Sequence, residues 1–160
     1  MAEFLFPNFR VPEILAFPNP TLNQEARSVE RMDEEIRSSI IRMVLSLRRS
    51  SGAGIAAPQI GVLRRIFIIK PHPSSMMEFF INPTVTPISQ ERTDAGDEAS
   101  EGCLSVPGIR VRIERFKSVS VKYHTLDWSE NENFSEGWRA RVIQHEYDHL
   151  NGILITSPRI

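Results

Sequence analysis

The chain holds one cysteine among its 160 residues, so no disulfide can form within it and the lone thiol calls for another use. It owes nothing to an oxidising compartment, and a reducing, cytoplasmic setting is expected. Charge of one sign is also missing: 19 Lys and Arg stand against 20 Asp and Glu, for a net charge of -1. A surface so balanced is not built to neutralise phosphates or anionic lipid, so neither nucleic acid nor membrane is an expected partner. Long apolar runs are absent as well. Stretches such as Ile66 to Ile69 are of core-strand length, far short of the roughly twenty residues a membrane span needs. The opening residues, MAEFLFPNFR, lack the charged start and apolar run of a secretory signal and the Arg- and Ser-rich character of a transit peptide. A soluble protein is expected.

What is present fits one hydrophobic core. With 41% apolar content, residues 1–160 are enough for one domain and too few for two. Pro7, Pro12, Pro18 and Pro20 mark residues 1–30 as an extended arm laid over the body. Met32, Ile36, Ile40, Met43, Val44 and Leu47 recur at spacings of three and four, which predicts a helix ending at Arg48, Arg49 and Ser50, before Gly52 and Gly54. Ile66 to Lys70 and Glu78 to Ile81 read as strands, stopped by Pro71 and by an Asn82-Pro83 turn. Residues 88–100 read as a polar loop, and Asp127 to Ser135 as a polar, hairpin-like turn. Between them Val119, Val121 and Tyr123 alternate with polar residues, the mark of a strand with one wet face. A second helix is predicted from Trp138 to Leu150, with Trp138, Val142, His145 and His149 on one face. Strands scattered around two helices without βαβ alternation predict an α+β domain. Small mixed or antiparallel sheets would surround the central, histidine-bearing helix, with one helix nearer the N-terminus.

That second helix carries His145-Glu146-Tyr147-Asp148-His149, an H-E-x-x-H. Imidazoles at i and i+4 share a face and can grip one cation, while the glutamate between them can lean over an open coordination position and take a proton from water. The bland alternative is a solvated helix with two histidines. A catalytic metal needs a third protein ligand, yet the eleven residues after His149 contain no Asp, Glu, His or Cys. The third donor must come from upstream. Cys103 is a candidate, with Gly102 beside it permitting close backbone approach, although a lone cysteine is more often a small buried apolar residue.

Three segments together resolve that choice by resemblance: Gly52-Ala53-Gly54-Ile55-Ala56-Ala57-Pro58-Gln59, Glu101-Gly102-Cys103-Leu104-Ser105 and Gln144-His145-Glu146-Tyr147-Asp148-His149. In that order they resemble the signature segments of the peptide deformylases, and Phe17-Pro18-Asn19-Pro20-Thr21-Leu22 and Asn82-Pro83 are similar to the family too. The resemblance covers roughly residues 14 to 155. It implies a hydrolase that removes the formyl group from the N-terminal formylmethionine of newly made proteins. Cys103, His145 and His149 would hold one divalent transition metal, Fe(II) in the cell and Zn(II) or Ni(II) in purified protein, with Glu146 as acid and base. Gln59 and the backbone N–H of Leu104 would bind the formyl oxygen. Gly54 and the segment at Gly102 would offer backbone groups to an extended peptide, with Ala53, Leu104, Trp138 and Val142 lining the methionine pocket. Arg110 would lie near the peptide, and Arg115 would partner Glu101. Expected partners are N-formylmethionyl peptides and nascent chains, met by a monomer close to the ribosome. Where many relatives carry Asp-Arg-Ile, this chain has Ser157-Pro158-Arg159-Ile160, with no basic docking helix after it. Docking on the ribosome through a tail is therefore not expected. Two competing readings are a general H-E-x-x-H metallopeptidase and an inactive relative that uses the site only to bind metal or peptide.

Overall fold

Asp33 starts the first helix by accepting the Ile36 N–H on its side chain at 3.0 Å, in a computed structural model that describes residues 11–71, 75–93 and 100–158. The arm's first ten residues, residues 94–99 of the polar loop, and Arg159 and Ile160 lie outside the described residues. Helix α1 spans Glu34–Arg49, with Glu34 and Glu35 in its first turn and Arg48 and Arg49 in its last, both signs complementing the helix dipole. It begins just beyond Met32, because the Asp33 cap sets the start and Met32 packs from outside. The arm before it is not uniformly extended. A 3-10 turn at Pro20–Asn23, capped by the Asn19 side chain, drives Leu22 into the interior.

Seven strands follow among the described residues: β1 (Gly54–Ala56), β2 (Ile66–Ile69), β3 (Glu78–Pro87), β4 (Ser100–Cys103), β5 (Val106–Arg112), β6 (Ser118–His124) and β7 (Glu130–Glu136). Five form a sheet in the order β1-β2-β3-β6-β7, and among the described residues β4 pairs with β5 alone. Every strand pairing is antiparallel, which leaves no mixed sheet among the described residues. The connections explain this, since links such as Thr125–Ser129 between β6 and β7 are too short to cross over into a parallel neighbour. The α+β class and the two helices are as the sequence predicts.

Two readings of the strands change. Asn82-Pro83 does not stop β3. Asn82 takes φ 50°, the register with β6 shifts there, and the strand resumes to Pro87. The Asn82 amide makes the bulge affordable by bonding both the N–H and the C=O of Val29, at 2.8 and 2.7 Å. The predicted polar turn at Asp127 to Ser135 shrinks to its beginning, and Glu130–Glu136 forms edge strand β7. An edge strand with only Ser135 fully buried needs no apolar period, and Glu130, Glu132 and Glu136 discourage pairing with another chain. Strands β1 and β4 are too short for any period to show.

The sheet lies between the helices. Strand β2, apolar throughout, is buried on both faces: Phe67 and Ile69 pack with Ala140, Ile143 and Leu150 of helix α2 (Gly137–Leu150), while Ile66 and Ile68 pack with Ile40, Met43 and Leu47 of α1. Phe80 sits between Phe67 and Tyr123, with ring centroids at 4.6 and 4.5 Å. Phe80→Ala is expected to cost about 3–5 kcal/mol, because the surrounding aromatics cannot close the cavity. Chemical denaturation checks it, and a loss under about 1 kcal/mol would show that the layer collapses freely around the gap. A smaller cluster of Leu22, Val106, Ile113, Leu154 and Ile155 ties the β4–β5 pair to the arm and the C-terminal segment.

Candidate metal centre and active site

Gly137 turns the chain from β7 into α2 with φ 58°, a conformation L side chains resist, while its N–H bonds Lys117. The helix then presents His145 and His149 one turn apart, with ring centroids 5.0 Å from each other. Opposite them, β4 ends at Cys103, where the pairing with β5 shifts register between Gly102 and Cys103. One ligand atom from each of Cys103, His145 and His149 lies within 4.8 Å of the other two, and Cys103 Sγ is 3.3 Å from His149 Nε2. His145 Nδ1 bonds Glu101 Oε2 at 2.9 Å, so its other nitrogen is left for the centre. A thiol and two imidazoles meeting this way fit a borderline-soft divalent ion with one position over.

The clamp on His145 is itself anchored. Arg115 grips Glu101 with two bonds, Nε to Oε1 at 2.8 Å and Nη2 to Oε2 at 2.9 Å, the pairing the sequence predicts. Two further partners were not anticipated: Arg141 donates to Glu101 Oε1 at 2.8 Å, and Asp148 Oδ2 accepts from Arg115 at 2.6 Å. Their signal lay in helical spacing, since Arg141 falls four residues before His145 and Asp148 three after it. Burial opposes a charge on Glu101, but the bonds from Arg115 and His145 outweigh it and hold the carboxyl well below its usual range. Burial, with the neighbouring His145 charge, also pushes His149 well below an ordinary histidine.

Glu146 is 3% exposed, and its Oε2 has no hydrogen-bond partner among the described residues. Burial raises its carboxyl to about 7. Strand β1 passes so close that a Cβ added at Gly54 would stand 2.5 Å from Glu146 Oε1, and one at Gly52 would stand 2.7 Å from Leu104 Cδ1. The two glycines therefore admit Glu146 and Leu104 to the site, a packing role the sequence reading did not assign them. Gln59, in a 3-10 turn at Ala57–Ile60, is also buried. Its Oε1 accepts the Ala56 N–H at 2.8 Å, and its Nε2 donates to Ser105 Oγ at 3.1 Å and lies 3.8 Å from Cys103 Sγ.

These groups open on a cleft of about 620 Å³. Ala53, Gly54, Gly102 and Leu104 line it from the β1 and β4 sides, and Trp138 and Val142 from α2. Trp138 is 51% exposed at the cleft, which removes ordinary core packing as its role. Arg110 also lines the cleft, held to Ser100 by bonds to its hydroxyl at 3.1 Å and its carbonyl at 2.6 Å. Cys103, His145, Glu146 and Gln59 line the cleft as well, while His149 is buried beside it, with its Nε2 on Cys103 Sγ. A second cleft, of similar volume and lined by Arg27, Arg65, Asn82 and Tyr147, contains none of them.

The family model described as polypeptide deformylase matches residues 11–159. A peptide deformylase of Thermotoga maritima is 40% identical over 142 residues, covering 89% of this chain and 83% of the relative. Among solved structures, the crystal structure of a Thermotoga maritima peptide deformylase superposes with a TM-score of 0.84 at 39% identity, over 93% of this chain and 99% of that one. A Met-Ala-Ser-bound class I type b peptide deformylase from Acinetobacter baumannii gives a TM-score of 0.82 at 32% identity, over 92% and 97%.

Proposed function

The chain belongs to the polypeptide deformylase family, and from that membership we propose how its residues divide the work. It is a metal-dependent hydrolase that removes the formyl group from formylmethionyl nascent chains and releases formate. The observation that carries the assignment of parts is the meeting of Cys103, His145 and His149 beside a buried, partnerless Glu146 oxygen. We assign the three as the residues that would hold one divalent transition metal, which when bound would supply Lewis acidity for the water and the formyl carbonyl. The donor set suits Fe(II), Zn(II) and Ni(II), and Fe(II) is our proposal for the cell, carried over from the family resemblance.

Glu146 accepts the proton of the attacking water and delivers it to the amine nitrogen as the formyl C–N bond breaks. Negative charge gathers on the formyl oxygen during attack, and the Gln59 amide and Leu104 backbone N–H are the donors assigned to it. Among the described residues β1 is a sheet edge and β4 pairs only with β5, and Gly54 and Gly102 of these strands line the cleft, an arrangement suited to an extended peptide. Backbone at Gly54 and Gly102 serves that peptide, and Arg110 lies along its path. Ala53, Leu104, Trp138 and Val142 receive the methionine side chain. Two of the three assigned ligands, Cys103 and His145, share one cleft with Glu146, Gln59 and Leu104, and His149 meets Cys103 from beside it, which supports turnover over a purely binding role.

Formate release from formyl-Met-Ala-Ser under reducing, anaerobic conditions tests the activity, and absence of formate with every one of the three metals would overturn it. Replacing the methionine by aspartate is expected to lower kcat/KM by about 100-fold or more, since burying an unpaired charge costs several kcal/mol. Equal values for the two peptides would remove the apolar pocket from this account.

A further inference from the structure

The Gln59 amide has one orientation that satisfies its neighbours. Because Oε1 accepts the Ala56 N–H at 2.8 Å, the amide nitrogen must face the opposite way, toward Ser105 Oγ at 3.1 Å and Cys103 Sγ at 3.8 Å. An amide nitrogen carries two N–H groups. The Ser105 hydroxyl takes one, which leaves the other on the Cys103 side. Ser105 is itself fully buried, and its carbonyl accepts the Phe17 N–H at 2.8 Å, while the Gln59 carbonyl accepts the Leu15 N–H, also at 2.8 Å. Two alternate residues of the N-terminal arm thus clip the Gln59 turn to the end of the cysteine segment.

We propose that Ser105 is a positioning residue for deformylation: its hydroxyl holds the Gln59 amide in the rotamer that offers an N–H to the formyl oxygen. The arm at Leu15 and Phe17 keeps the two segments at the spacing this bond requires. The inference rests on the assignment of Gln59 to the formyl oxygen. A donor speeds the reaction only if it already points where charge develops. Without the hydroxyl, one Gln59 N–H is buried without its partner, and the amide is free to pivot about its bond to the Ala56 N–H or to admit water. Peptide binding along β1 and β4 does not involve this bond, so the loss belongs to kcat.

A double-mutant cycle on metal-loaded enzyme separates this from a structural effect. Gln59→Ala is expected to lower kcat by roughly 10²-fold or more, as removal of such a donor does. Ser105→Ala should lower kcat about tenfold with KM and metal content unchanged, and should add no more than about twofold in the Gln59→Ala background. Ser105→Thr, which keeps the hydroxyl, should restore most of the loss. In zinc-loaded protein the Gln59 side-chain amide signals, identified by their absence in Gln59→Ala, should shift and exchange faster with water in Ser105→Ala. A tenfold loss that persists in the Gln59→Ala background, or amide signals unmoved in Ser105→Ala, would overturn the role of Ser105 while leaving that of Gln59 standing. If Gln59→Ala keeps wild-type kcat, the assignment of Gln59 falls, and this inference with it.

Discussion

Glu146→Gln is expected to keep about one metal ion per chain and to bind a product-like Met-Ala-Ser peptide, while kcat falls by roughly 10²–10⁴-fold, the usual contribution of a positioned general acid and base. Glu146 lies about 100° round the helix from His145, which keeps it off the ligand face yet beside it. Its buried Oε2 has no bond to break, and the bare Cα of Gly54 leaves room for its carboxylate and little else. Glutamine keeps that volume and removes the basicity. Metal analysis, peptide titration and steady-state kinetics on the one variant are sufficient. Loss of metal would make Glu146 a ligand, and retention of most of kcat would place the base on another residue.

Cys103→Ala should lose both the metal and all measurable turnover. The substitution leaves two imidazoles on α2 and takes away the soft, charged donor from β4, so the ion is held from one side only. The surrounding Glu101, Arg115 and Arg141 bonds do not involve the thiol, so the fold around His145 should stay in place. Elemental analysis after gel filtration checks the metal. With cobalt as the probe, the near-ultraviolet thiolate charge-transfer band should vanish in the variant. A variant that retains tight metal and normal turnover would remove Cys103 from the centre.

Much of the site was legible in the sequence because helical spacing is strictly local. His145 and His149 share a face by virtue of a four-residue interval, and the carboxylate of Glu146 stands beside that face wherever the helix is placed. The apolar period of α1 and the unbroken Ile66–Ile69 run were legible for the same reason. Strands without such a period were not. The Glu130–Glu136 strand looks like solvent-exposed coil because its partner, β6, supplies the apolar face, and the Asn82 bulge depends on Val29, 53 residues away.

The sequence by itself determined the elements of chemistry: an i, i+4 histidine pair, a glutamate between them, a single thiol that no disulfide claims, and a glycine beside that thiol. Those follow from residue types and short intervals, which every local conformation of the chain preserves. Only the tertiary structure decided that Cys103 meets His149 across 46 positions, that Glu101 holds His145 under two arginines, and that Ser105 and the N-terminal arm orient Gln59. Each of these joins residues far apart in the chain, and such pairs become neighbours only when burial of the two faces of the sheet brings β1, β4 and α2 around one cleft.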